Sequence, residues 1–455
     1  MKFPENLFKN HSTIIISCIV FLIIAFMYSY VKIGFLGDYE KNFCLALTGD
    51  SLWQTQDKDG VFLPHLSRYF PGMFPRLSVV LSIFLGVTNV KFLLTLYAFI
   101  VYGFHVVFLT IIYFNLPKDK KNIFDIILMS VLFTFFYLQY FILSEIFLTQ
   151  FFIWVVFVIY FYIDFDKLSV FNSLSLILFS VFLISSYPAV VSFIPIFLFF
   201  GIHKYFKTHN INKKRRITLI ASFLILLVAF IFNIFYIFFP ILPVKSSGLS
   251  LNMLKDQNFI MFSFYILLSL FFSFFKKNRY KQIFITVIII FSFLILNILL
   301  QIKPELGCLY RLVGCISPLC FMGFLICLSL CKIKINFIYI KTVNLILMAI
   351  LLIGTLIYIK SVNNYNYQLI GYMLSHKSIP MEKFKVDKNM YKYSIYYAFL
   401  IKFVWLPDYN ECCLEILEED FNNKKLTYYI NQNKDMLKFK PKRDISPYKF
   451  IKISR

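Results

Sequence analysis

Apolar runs of about twenty residues recur along most of this chain, and short clusters of Lys and Arg separate them. Wound as a helix rising ~1.5 Å per residue, such a run crosses a hydrocarbon core of ~30 Å. A membrane barrel would instead alternate polar and apolar residues over strands of about ten. Of the 455 residues, 60% are hydrophobic and 20% aromatic, and the mean hydropathy is +0.75. Soluble domains sit near ~45–50% apolar, so the sequence predicts an all-α polytopic membrane protein.

Setting the apolar runs against the basic clusters gives about eleven spans, near 12–33, 92–114, 123–142, 147–163, 174–187, 188–203, 217–240, 257–274, 283–301, 312–330 and 342–360. The strongest basic loops then fall on one side: Lys118–Lys121, Lys204–Arg216, Lys276–Arg279 and Lys332–Lys341. Because Lys and Arg accumulate on the cytoplasmic side, the amino terminus is expected in the cytoplasm and the carboxyl terminus outside. The first span lacks a small-residue cleavage site after Tyr30-Val31-Lys32 and reads as an uncleaved helix. This division predicts a membrane core over 1–360, with a long outer loop at about 34–91, and a hydrophilic tail over 361–455. Phe70 to Gly86 is apolar but short, begins beside Pro71 and Pro75, and reads as an interfacial or re-entrant helix.

The net charge of +23, from 46 Lys+Arg against 23 Asp+Glu, resides in inter-span clusters that set orientation, which argues against a nucleic-acid partner. Nine cysteines and six histidines show no metal-ligand spacing, so no metal site and no cofactor are expected, a divalent ion being optional. Cys412 and Cys413 fall in the tail, where their disulfide state is open. Gly-rich phosphate loops, nucleophile elbows and HExxH are absent, which argues against a nucleotide-sugar enzyme and a membrane protease. Few charges lie within the spans, which disfavours an ion-coupled pump, and no internal repeat marks a secondary transporter.

Four features gather on the expected outer face. Asp38-Tyr39-Glu40 places two carboxylates beside the first span. Partly desolvated there, one could act as a general base toward a hydroxyl, or both could be ordinary loop acids. Ser144-Glu145 puts an acid in a turn between two apolar helices, either lining a polar cavity or ending a helix at the surface. Tyr310-Arg311 opens a span that continues to Ser317-Pro318, and Arg311 either holds a phosphate bidentately or anchors to headgroups. His65 to Arg76 is a proline-bent aromatic stretch whose Arg68 and Arg76 carry the same two alternatives.

In this order the four features resemble the GT-C superfamily of integral-membrane glycosyltransferases. Asp38 and Glu40 match its first-loop acidic motif, Tyr69-Phe70-Pro71 through Phe74-Pro75 its proline-rich aromatic stretch, and Ser144-Glu145 its second-loop acid. Arg311 followed by Pro318 is similar to its late arginine. Within that superfamily the phage-type serotype-converting O-antigen glucosyltransferases are similar in size, long first outer loop and outward tail.

The resemblance implies an inverting enzyme of the bacterial inner membrane whose site faces the periplasm. It would take a sugar, glucose by this likeness, from a polyprenyl-phosphate donor to a lipid-linked glycan such as O-antigen. Asp38, Glu40 and Glu145 would be the catalytic acids, and Arg311, Arg68, Arg76 and Tyr310 would bind the lipid phosphate. The implied partners are the donor, the acceptor glycan, membrane lipids, and a flippase with a polyprenyl-phosphate sugar synthase. Two other functions stay open. An O-antigen polymerase shares the topology but usually depends on more outer-loop arginines, and a lipid-linked glycan flippase would carry cations deep in a cavity.

Overall fold

The computed structural model describes residues 5–31, 54–56, 62–64, 69–139, 146–186, 190–191, 193–208, 211–238, 317–318, 321–326, 328–329 and 337–375. Nearly all of these are helical. In chain order the principal elements are α1 (Glu5–Val31), a hairpin of β1 (Gln54–Gln56) and β2 (Phe62–Pro64), α2 (Tyr69–Phe84), α3 (Val90–Asn115) and α4 (Ile123–Gln139). There follow α5 (Ile146–Tyr162), α6 (Val170–Ile184), α7 (Ile194–Lys207), α8 (Lys213–Phe238) and α9 (Phe337–Ser375). The hairpin is antiparallel, with Thr55 opposite Leu63.

Among the described residues four helices are long and apolar enough to cross a membrane: Ser12–Ser29, Phe92–Asn115, Lys213–Phe235 and Phe337–Ile357. With the shorter apolar helices among them, the chain is a helical membrane protein. The expected spans at 12–33, 92–114, 123–142, 147–163 and 217–240 coincide with α1, α3, α4, α5 and α8. Those at 257–274 and 283–301 lie outside the described residues, and only short helical pieces of 312–330 fall within them.

Two expected boundaries need correction. The spans at 174–187 and 188–203 are in fact α6 at Val170–Ile184 and α7 at Ile194–Lys207. Ser169 moves the first start forward: its hydroxyl accepts from the Asn172 N–H while the Asn172 side chain accepts from the Ser169 N–H, a reciprocal cap. The second start follows Pro195, which occupies the first turn of α7. The last span also runs further than 360, continuing without a break to Ser375. The expected short helix from Phe70 to Gly86 is α2. Gly86, at φ +82, ends it in a Schellman turn in which the Gly86 N–H reaches Ile83 O at 2.9 Å and the Val87 N–H reaches Ser82 O at 3.0 Å.

The chain divides into two compact units, and helices α1, α3 and α9 each contribute a substantial part to both. One unit contains the C-terminal half of α1, α2 and the first part of α3. There α1 and α3 run antiparallel along an aromatic seam, with Tyr28 stacked on Tyr102 at 4.1 Å and Phe21 on His105 at 5.3 Å. The other unit contains the end of α3 with α4 to α8. Its core is again aromatic: Phe108 packs against Phe151, Phe152 and Phe179.

Polar residues pin this second unit together. Asn115 of α3 donates to Ser175 Oγ at 3.2 Å and accepts from Asn172 Nδ2 at 2.9 Å, tying α3 to α6. Asn233 of α8 donates to the carbonyls of Leu183 and Ile184, so the end of α6 is capped by a neighbouring helix. In hydrocarbon no water can take the place of such partners.

Candidate functional site

Asp38, Glu40, Arg68, Glu145, Tyr310 and Arg311 lie outside the described residues, and Arg76 is the expected site residue that falls within them. Arg76 stands on α2, only 6% exposed, and its side chain is engaged rather than free. A guanidinium at that depth is inside the protein, not spread on a lipid-facing surface.

The best-defined polar feature of the unit that holds α4 to α8 is on α5, which begins at Ile146, directly after Ser144-Glu145 in sequence. Gln150 and Trp154 share one face, since residues four apart superpose on a helix. Gln150 is 1% exposed and Trp154 0%. Among the described residues neither amide atom of Gln150, nor the Trp154 Nε1–H, has a hydrogen-bond partner. Each such group costs ~1–3 kcal/mol when nothing satisfies it.

Ring contacts fix the level of this face. Phe152 meets Phe179 and Phe182 on α6, which the short link from Tyr162 to Val170 folds back along α5. Phe161, on the Gln150–Trp154 side of α5, packs edge-on against Phe200 of α7 at 5.1 Å. Stepping back two turns along both helices puts Trp154 level with Phe193, at the entrance to α7. α6 has 15 residues, about 22 Å at ~1.5 Å per residue, which is short of a ~30 Å hydrocarbon core. Non-helical backbone at membrane depth is tolerated only when buried in protein or beside a polar cavity.

Near the other end of α5 the buried Tyr160 hydroxyl has its partners. The Tyr160 hydroxyl bonds Ser222 Oγ of α8 at 2.7 Å, and Ser222 bonds Ser180 Oγ of α6 at 2.9 Å. Gly201 of α7 is pressed into the same spot. A Cβ there would lie 2.7 Å from the Phe223 ring and 2.8 Å from the Tyr160 ring, so only glycine lets these helices approach so closely.

Basic residues gather at that end. Lys121 donates to the Tyr113 carbonyl and lies 4.2 Å from the centre of its ring. Burial lowers its amine from the ordinary 10.5 to about 8. Lys204 donates to the Phe161 carbonyl at 3.3 Å and faces Asp164 at 3.9 Å. Burial lowers its pKa, while Asp164 and Asp166 oppose the shift.

Sequence reasoning passed over two groups that the fold makes prominent. Asp125, in the first turn of α4, is 2% exposed. Its carboxylate accepts from Thr13 and lies near Lys341, and its backbone carbonyl accepts from Asn344 of α9 at 2.7 Å. The available signal was an acid flanked by Ile123, Phe124, Ile126 and Ile127 at the mouth of a span. Gln150 likewise signalled itself as the one amide in the run Phe147 to Val158. Among the described residues no three His, Cys, Asp or Glu side chains come together as a metal-binding group. No family model matches the chain, and neither a curated protein nor a solved structure is significantly similar to it.

Proposed function

We propose that this chain is an inverting membrane glycosyltransferase that takes a sugar, glucose by the resemblance, from a polyprenyl-phosphate donor to a surface glycan such as O-antigen. In this reading it sits in a bacterial inner membrane with about eleven spans, its amino terminus cytoplasmic and its site and carboxyl-terminal tail periplasmic. The observation that carries it is the first stretch of α5. A carboxylate, Glu145, immediately precedes a helix whose next two turns present a buried amide and a buried indole N–H without partners among the described residues. Sugars present several hydroxyls, each both donor and acceptor, which such groups can satisfy.

The chemistry follows from where charge develops. Asp38 or Glu40 removes the proton from the acceptor hydroxyl, whose oxygen attacks the anomeric carbon from the face opposite the phosphate. The bond from that carbon to the phosphate oxygen breaks, and polyprenyl phosphate departs with the electron pair. Arg311, assisted by Arg68, Arg76 and Tyr310, stabilises the departing anion. Glu145 positions the acceptor.

Purified protein in detergent, given a radiolabelled polyprenyl-phosphate sugar and a lipid-linked glycan, should transfer label. Asp38→Asn with Glu40→Gln should abolish transfer without affecting membrane insertion. Full activity in that double variant overturns the assignment. Movement of lipid-linked glycan without bond cleavage would make the protein a transporter, and loss of long chains in a deletion strain would make it a polymerase.

A further inference from the structure

α8 sorts its residues onto two faces with different environments. Along one face, at helical spacing, lie Arg215, Leu219, Ser222, Leu226 and Asn233. Leu219, Ser222 and Leu226 are 0% exposed and Asn233 1%. Arg215 belongs with them, its guanidinium donating to the carbonyls of Leu168 and Asp166. That cation is therefore committed to holding the turn before α6.

Along the opposite face the spacing runs Lys213, Arg216, Ile220, Leu224, Leu227 and Ile231. The four apolar residues are 44–59% exposed, and Lys213 and Arg216 are exposed above them. Among the described residues no carboxylate pairs with Lys213 or Arg216. The first turn of α8 contains no acid, so the positive end of the helix dipole adds to their charge rather than offsetting it.

An exposed aliphatic stripe topped by two unpaired cations matches one kind of molecule in both parts, an acyl chain joined to an anionic head. We infer that this face of α8 is a binding site for an anionic phospholipid. Its phosphate is held by the Arg216 fork and the Lys213 ammonium, and its acyl chain lies along Ile220, Leu224 and Leu227. The inference needs only that α8 spans the membrane and is independent of any transferase activity.

Native mass spectrometry of the full-length protein in detergent tests it, with phosphatidylglycerol and phosphatidylcholine of matched chains as probes. The wild type should retain phosphatidylglycerol about tenfold better than phosphatidylcholine. Lys213→Gln with Arg216→Gln should remove that preference. Lys118→Gln with Lys120→Gln, which deletes equal charge from another exposed basic turn, should keep it, and inorganic phosphate should not displace the lipid. Equal retention of the two lipids by the wild type, equal loss in the two double variants, or displacement by phosphate overturns the site. Should the glutamine pair fail to fold, Lys213→Gln alone decides: a reduced preference for phosphatidylglycerol supports the site, and a preference equal to the wild type's refutes it.

Discussion

Tyr160 and Gln150 stand near opposite ends of α5, each 1% exposed, and their polar atoms are treated differently. The Tyr160 hydroxyl is bonded through Ser222 to Ser180, a relay that locks α5, α6 and α8 around Gly201. Gln150 has neither a donor nor an acceptor satisfied among the described residues, and Trp154 one turn on is the same. Burial alone therefore does not distinguish the two ends of α5; whether the buried polar atoms have partners does. A satisfied group within hydrocarbon is explained by the helices it joins. An orphaned one imposes a cost that a bound polar ligand removes.

The strongest test of this contrast replaces the orphaned pair. Gln150→Leu with Trp154→Phe should lower sugar transfer about 100-fold, the equivalent of two lost hydrogen bonds to substrate, while thermal stability in detergent holds or rises. If the variant gains stability and keeps full transfer, the orphaned end is a packing defect and the contrast has no functional meaning.

At the satisfied end the response should be reversed. Gly201→Ala forces a methyl against the Tyr160 and Phe223 rings and should cost ~1–3 kcal/mol of stability, read as a lower melting temperature, with specific activity of the surviving folded protein unchanged. Tyr160→Phe removes one member of the relay and should cost ~1 kcal/mol, measured the same way. A drop in activity per folded molecule in either variant would blur the distinction between the two ends.

The smallest effect concerns Lys121. Because the folded state lowers its pKa to about 8, the unfolded chain binds more protons between that value and the ordinary 10.5. Stability therefore rises with pH across that window, and the cost of burying the charged amine is felt in full below it. Wild type compared with Lys121→Met should show a melting-temperature difference that shifts in favour of wild type as pH rises from 8 toward 10. Amine acylation at Lys121 should reach half its limiting rate near pH 8, and a midpoint near that of free lysine would contradict the buried geometry.

How much of this was legible in the sequence depended on the kind of signal. Long apolar runs bounded by charge located α3, α5 and α8 to within a few residues, because hydropathy reports directly on where a chain enters and leaves hydrocarbon. The α6–α7 boundary was misplaced because the apolar run continues through both helices without a charged residue to divide it. The capping pair Ser169 and Asn172, and Pro195, set the real limits through local hydrogen bonding and φ restriction. Gln150 and Trp154 could be read as embedded but not as unpaired, since pairing depends on which side chains face α5 from α6, α7 and α8. The same holds for Arg215 and Arg216. Adjacent in sequence and alike in chemistry, they are separated only by the face of α8 each occupies.

The most direct measurement is transfer of labelled sugar by purified Glu145→Gln, Gln150→Leu and Tyr160→Phe, each normalised to folded protein. The account predicts that the first two lose transfer while the third retains it. Undiminished transfer by Gln150→Leu, with Tyr160→Phe affected equally or more, would contradict it.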